Sequence, residues 1–107
     1  MFKQKNPMIK QKYNYGVGMA KGKQVKALSS PNLNQDISLE LIAKSIKARR
    51  TQQGLDLKTA AMLCDLSVVT LSKIEHASNG VRMESVLKVM QALGIKLSIL
   101  PWERDHA

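Results

Sequence analysis

Three residues, Asp65-Leu66-Ser67, separate two short segments that both carry the apolar spacing of helices. So short a break forces the second helix to turn sharply against the first, because helices joined by three or four residues cross at about 90–120°. The first segment, Leu57 to Cys64, opens after Asp56, whose carboxylate can cap a helix. Its Thr59, Ala60 and Ala61 are small enough for another helix to approach closely. The second segment, Val68 to His76, opens after Ser67, a second cap. On a 3.6-residue wheel Leu71 and Ile74 fall on one side, toward Ala61 and Leu66. Val69, Ser72, Lys73 and His76 project the other way, and Val68 and Thr70 flank the N-terminal tip. Two short helices around a three-residue turn read as a helix-turn-helix.

The flanking chain supplies the rest of a small domain. Ile37, Leu41, Ile42 and Ile46 recur at helical spacing, and Lys47, Arg49 and Arg50 suit the negative end of a helix dipole. Gly54 is a stop signal, so a helix is expected over 37–52. A fourth helix is expected over 83–93, burying Val86, Leu87, Met90 and Leu93 and ending at Gly94. Residues 95–100, Ile95-Lys96-Leu97-Ser98-Ile99-Leu100, alternate apolar and polar before Pro101, which is a strand pattern. A lone strand cannot satisfy its own backbone groups. The chain offers no convincing second strand, so a copy of itself is the expected partner, with Trp102 packing beside the seam.

The 107 residues carry a net charge of +9 and a pI near 9.9. A chain this basic points to a polyanion, nucleic acid foremost. Residues 1–36 hold seven Lys against one Asp, so most of the excess lies there. That segment has little periodicity, three glycines and the turn-former cluster 29–36, and reads as a basic, flexible N-terminal arm. A short hairpin around Tyr13–Val17 is a weak alternative. The expected fold is therefore all-α, a four-to-five-helix helix-turn-helix domain over 37–94. The arm of 1–36 precedes it and a dimerisation strand and tail, 95–107, follow.

Residues 54–95, "GLDLKTAAMLCDLSVVTLSKIEHASNGVRMESVLKVMQALGI", resemble the Cro/repressor-type (XRE) helix-turn-helix regulators. Gly54, Leu55, Ala61, Ser67, Thr70, Ser72, Ile74, Glu75, Leu87 and Ala92-Leu93-Gly94 match the family pattern, and Lys73 replaces its Arg. Leu57 stands where the family usually has a phosphate-binding Gln, Asp65 replaces the turn glycine, and Val68 replaces a frequent Gln. The ending "VLKVMQALGIKLSILPW" is similar to the HipB-like antitoxins. That resemblance implies a homodimer joined by its C-terminal strands, repression of its own operon, and neutralisation of a HipA-like serine/threonine kinase toxin. It also implies a partly buried ion pair between Arg50 and Glu75.

Val68, Val69 and Lys73 occupy the positions that in this family meet bases, with Ser67, Thr70 and Ser72 in reach of bases or phosphates. Valines can pack on thymine methyl groups, and a lysine can donate to guanine O6 and N7. Lys44, Lys47, Arg49, Arg50, Lys58 and Thr59 are candidate phosphate contacts, though each also reads as an ordinary surface residue. Val68, on the flank, also reads as a partly buried core residue. The arm, Lys3 to Lys26, is suited to a minor groove, the DNA backbone or a partner protein.

An enzyme is not expected. Cys64 falls among Ala, Met and Leu and reads as a small buried hydrophobe. His76 and His106 lack helix-spaced companions for a metal site, and no phosphate loop of the Gly-x-x-x-x-Gly-Lys type occurs. No cofactor or metal is expected. One cysteine rules out an internal disulfide, no apolar run reaches the roughly 18 residues of a membrane span, and the start lacks a signal-peptide core. A cytoplasmic, DNA-binding repressor acting on a palindromic operator is the expectation. The alternatives are a stand-alone or phage-type repressor without a toxin, and a protein-interaction module with a vestigial helix-turn-helix.

Overall fold

The computed structural model describes residues 24–103. The Tyr13–Val17 hairpin and most of the arm, Lys3 to Lys23, lie outside the described residues. Four helices follow in order: α1 Leu39–Gln52, α2 Leu57–Leu63, α3 Val68–Glu75 and α4 Met83–Leu93. Three open on the side-chain caps that their sequences offer. Ser38 accepts from the Leu41 amide at 3.0 Å, Asp56 from the Thr59 amide at 2.8 Å, and Ser67 from the Thr70 amide at 3.1 Å. Each cap satisfies an amide that the first helical turn leaves without a carbonyl partner. The α4 cap residue, Arg82, makes no such bond.

All four helices end on one device. The residue just past the end turns left-handed, and two amides fold back onto carbonyls of the last turn. In α1 the turning residue is Gly54, φ 74°, with Leu55 N–H donating to the Arg50 carbonyl. In α4 it is Gly94, φ 76°, with Ile95 N–H donating to Met90 at 2.8 Å. Asp65, φ 57°, does the same for α2, and Ala77, φ 53°, for α3. Asp tolerates this conformation, whereas Ala has no side-chain polar group to offset the crowding of its Cβ.

The core gathers one stripe from each helix: Ile42 and Ile46 of α1, Ala60 and Ala61 of α2, Leu71 and Ile74 of α3, and Val86, Val89, Met90 and Leu93 of α4, together with Cys64. α3 lies against both α1 and α2, and α4 packs on α1. Ala60 and Ala61 are the contact that lets α2 and α3 approach, since neither has a side chain beyond Cβ.

Several expectations change in detail. α1 begins two residues late, because Ser38 takes the cap and leaves Ile37 outside the helix and exposed. Cys64 and His76 are the cap residues that close α2 and α3 rather than their last helical turns. Leu87 is 46 % exposed and the fully buried position is Val89, because the buried stripe of α4 runs 86, 89, 90, 93 and Leu87 lies about 100° off it. The strand expected over 95–100 does not form among the described residues. Ile95 is drawn into the closing turn of α4 and packs against the chain's own core. Beyond it Lys96, Leu97, Ser98, Ile99, Leu100 and Trp102 are all exposed, with no strand among the described residues to pair with.

Residues 24–38 contain no helix or strand, yet part of this segment is tied down. Leu28 N–H donates to Thr51 Oγ1 at 3.0 Å, and the Gln52 side-chain amide donates to the Leu28 carbonyl at 2.8 Å and to Ser30 Oγ at 3.1 Å. The buried Thr51 hydroxyl also donates to the Ala48 carbonyl, so one side chain caps its own helix and holds the incoming chain.

Candidate nucleic-acid interface

α3 is locked from behind. Leu71 and Ile74 are fully buried, and an ion pair reaches the end of α3 from α1. Arg50 Nε donates to Glu75 Oε2 at 2.6 Å and Nη2 donates to Oε1 at 2.9 Å, a two-bond fork. The third arm, Nη1, donates to the Leu55 carbonyl at 2.8 Å. The two side chains are only 9 % and 3 % exposed. Arg50 thus joins the end of α1, the α1–α2 turn and the end of α3. Three of the five N–H donors of Arg50 are spent inward on these bonds, and its side chain is nearly closed to solvent.

Arg49, one residue earlier, has a different task. Its Nε donates to the Leu93 carbonyl at 2.9 Å, joined by the Gln53 side-chain amide at 3.3 Å. Both cover the end of α4, where helix carbonyls lack intrahelical partners. Arg49 therefore fastens α4 to α1, a structural use that its sequence position did not distinguish from a phosphate contact.

The front of α3 carries the expected reading residues. Val69 is 62 % exposed and Val68 41 % exposed, so Val68 is a surface residue and not core. Lys73 is exposed and makes no ion pair among the described residues. Thr70 and Ser72 are half-buried. Ser67 Oγ, already accepting from the Thr70 amide, donates its proton to Thr70 Oγ1 at 2.9 Å. The Ser67 hydroxyl proton is therefore committed inside the helix cap, while the Thr70 hydroxyl keeps a proton to donate. Lys58 is exposed on the first turn of α2, and Thr59 beside it is half-buried with its amide taken by Asp56. Lys44 and Lys47 are exposed on α1.

Cys64 and the Lys88–Asp65 pair lie at the turn between α2 and α3 or beside it. Burial pushes the Cys64 thiol above its ordinary range, with the Lys88 ammonium acting in the opposite sense. The Lys88–Asp65 pair spans 3.9 Å with a fully open carboxylate, a geometry that contributes little. Among the described residues no three His, Cys, Asp or Glu side chains group as a metal site, and no helix is long and apolar enough to cross a membrane.

A short helix backed by a buried ion pair, held by a second helix across a three-residue turn and exposing valines, hydroxyls and a lysine, defines a helix-turn-helix DNA-binding domain of the Cro/repressor type. The family described as Helix-turn-helix matches residues 46–100, more than half of the chain, and the chain belongs to that family. No curated protein matches. Among solved structures, the chain is similar to one in a structure of a HipA-HipB-O2-O3 complex, with TM-score 0.58 and 19 % identity over 64 % of this chain and 97 % of that one. It is equally similar to chains in a HipB-O4 20mer complex, with 97 % of that chain covered, and in a HipB-O1-O2 complex, with 100 % covered; both have TM-score 0.58 and 19 % identity over 64 % of this chain. At this identity the likeness is one of fold.

Proposed function

We propose that the protein is a sequence-specific transcriptional repressor and the antitoxin of a HipA-like kinase toxin, acting in the cytoplasm on the operator of its own operon. The observation that carries the DNA-binding part is the contrast between the two sides of α3. Its back is fixed by Leu71, Ile74 and the Arg50–Glu75 fork, while Val68, Val69 and Lys73 on its front are exposed and have no hydrogen-bond or ion-pair partner for their side chains among the described residues. Rigid positioning is what base readout requires, because a major-groove contact holds only when side chain and base edge meet in register.

Val68 and Val69 supply methyl groups to thymine, Lys73 donates to guanine, and Thr70, Ser72, Lys58 and Thr59 lie where the flanking phosphates would run. Ser67 acts mainly through the cap. Two copies, paired through 96–102, would place two α3 helices about 34 Å apart, or a multiple of that, on a palindromic site. The exposed apolar side chains of that segment favour such a seam, Ile99 being 89 % open in the single chain. The HipA-like partner is supported by the fold likeness to a chain of a HipA-HipB complex.

Mobility-shift titration of the protein's own promoter against a shuffled fragment, at several salt concentrations, tests the reading. The expected result is a sequence preference that survives salt, with a steep log–log slope from phosphate contacts. Equal affinity for all DNA at every salt level overturns it in favour of an interaction module. Copurification with a HipA-like kinase encoded beside it tests the antitoxin part, and its failure leaves a stand-alone repressor.

A further inference from the structure

His76 closes α3, and its ring is held in place. Nδ1 lies 2.7 Å from the Ser72 carbonyl oxygen, which also accepts the His76 backbone amide at 3.0 Å. A carbonyl only accepts, so Nδ1 carries the proton, and the Ser72 hydroxyl stands 3.5 Å from the same nitrogen. The tautomer is thereby set, leaving Nε2 as the ring's remaining polar atom. It has no partner within the described residues, and the side chain is exposed.

The position is as telling as the ring. Val69 and His76 are seven residues apart, nearly two whole helical turns, so they fall on one stripe with Lys73 between them. The stripe is about 10 Å long, or roughly three base steps of DNA. Its N-terminal part is the reading surface proposed above, and its C-terminal end, where a groove-bound helix climbs out past the backbone, is His76. No carboxylate pairs with the ring among the described residues. Glu75 is committed to Arg50 of α1, Lys73 stands one turn back on the same helix, and α2 brings only Lys58.

We infer that His76 is a further DNA-contacting residue, which presents Nε2 to a backbone phosphate at the C-terminal end of α3 and holds it most strongly when the ring is protonated. The neutral ring offers only a lone pair at Nε2, which a phosphate repels; the protonated ring offers an N–H and a positive charge. Binding DNA therefore takes up a proton at this residue. The inference rests on the DNA-binding reading, and it goes beyond that reading by naming a residue and a proton linkage.

The full-length protein, His76→Gln and His76→Lys are titrated with the operator fragment between about pH 5 and pH 8, the interval in which histidines as a class change charge. Circular dichroism checks that each variant keeps its helices. The expected result is an affinity of the native protein that rises severalfold toward acid, with a log–log salt slope steeper by about 0.9 at low pH than at high pH, as one added phosphate contact requires. His76→Gln flattens both dependences at the weak end, and His76→Lys flattens them at the tight end. Operator preference in the native protein with pH and salt profiles identical to those of folded His76→Gln overturns this inference alone. Absence of operator preference at every pH overturns the DNA-binding reading with it.

Discussion

Arg50 and Glu75, 25 residues apart in sequence, meet in a two-bond fork of 2.6 and 2.9 Å that fastens the C-terminal end of α3 to that of α1. The pair is nearly closed to solvent, so removing one partner strands the other's charge. Glu75→Ala should therefore destabilise the domain by about 3–5 kcal/mol. Replacing both residues by apolar ones of similar volume, Arg50→Met with Glu75→Leu, should lose much less, because no charge is then left buried. Urea unfolding of the two variants beside the native protein checks this. A loss in Glu75→Ala of under about 1 kcal/mol, as for exposed pairs, would show that solvent reaches the site.

The left-handed turn at the end of α3 stands on an alanine. Ala77 at φ 53° bears a steric penalty of about 1–2 kcal/mol that glycine does not. Glycine's greater freedom in the unfolded chain returns part of this, so Ala77→Gly should stabilise by about 0.5–1 kcal/mol. Thermal unfolding measures it, and operator affinity should stay unchanged because the α3 surface is untouched. A lower melting temperature would mean that the Ala77 methyl contributes packing that outweighs the strain.

Lys73 and Arg49 should part company when each is changed to alanine. Lys73→Ala removes the one cation on the front of α3 and is expected to relax base preference at a cost of about 1–3 kcal/mol in operator binding, with little change in stability. Arg49→Ala uncovers the Leu93 carbonyl and should lower stability by about 1 kcal/mol, with the salt slope of DNA binding unaltered. A shallower salt slope in a stable Arg49→Ala protein would return that residue to the phosphate contacts.

Methyl recognition by Val68 and Val69 has a test in the DNA. Replacing operator thymines by uracil, base by base, removes only the C5-methyl group. Loss of affinity at one or two positions is expected, with Val69→Ala cancelling the difference there. Uniform tolerance of uracil would show that the valines exclude water without reading sequence.

The proposed seam is sensitive to a single backbone donor. Ser98→Pro takes one N–H out of any ladder over 96–100 and should shift the protein toward monomer in sedimentation, leaving the helical signal intact. An unchanged dimer would place the interface on another surface.

Much of this architecture was already legible in residue order. Asp56 and Ser67 are capping residues ahead of apolar periodicity, and caps, periodicity and the stop glycines locate α2, α3 and α4 to within a residue and α1 to within two. They also place Val69 and Lys73 on the side of α3 opposite Leu71 and Ile74, because 3.6 residues per turn is a property of the backbone alone. What sequence could not assign was the work of side chains whose partners are remote. The Arg50–Glu75 pair was implied by the family resemblance, but nothing in residue order sent its identical neighbour Arg49, about 100° round the helix, to the Leu93 carbonyl of α4. The phase of α4 against the core buries Val89 in place of Leu87, and the closing turn of α4 draws Ile95 against the core and out of the expected strand. Thr51 holding Leu28 across 23 residues has no local signature at all. Local order determined where each helix begins, ends and turns its faces, because caps and periodicity act within one or two turns. Only the packing of helix against helix made Arg49 a clasp on the end of α4, because that contact depends on where another segment's carbonyls come to rest.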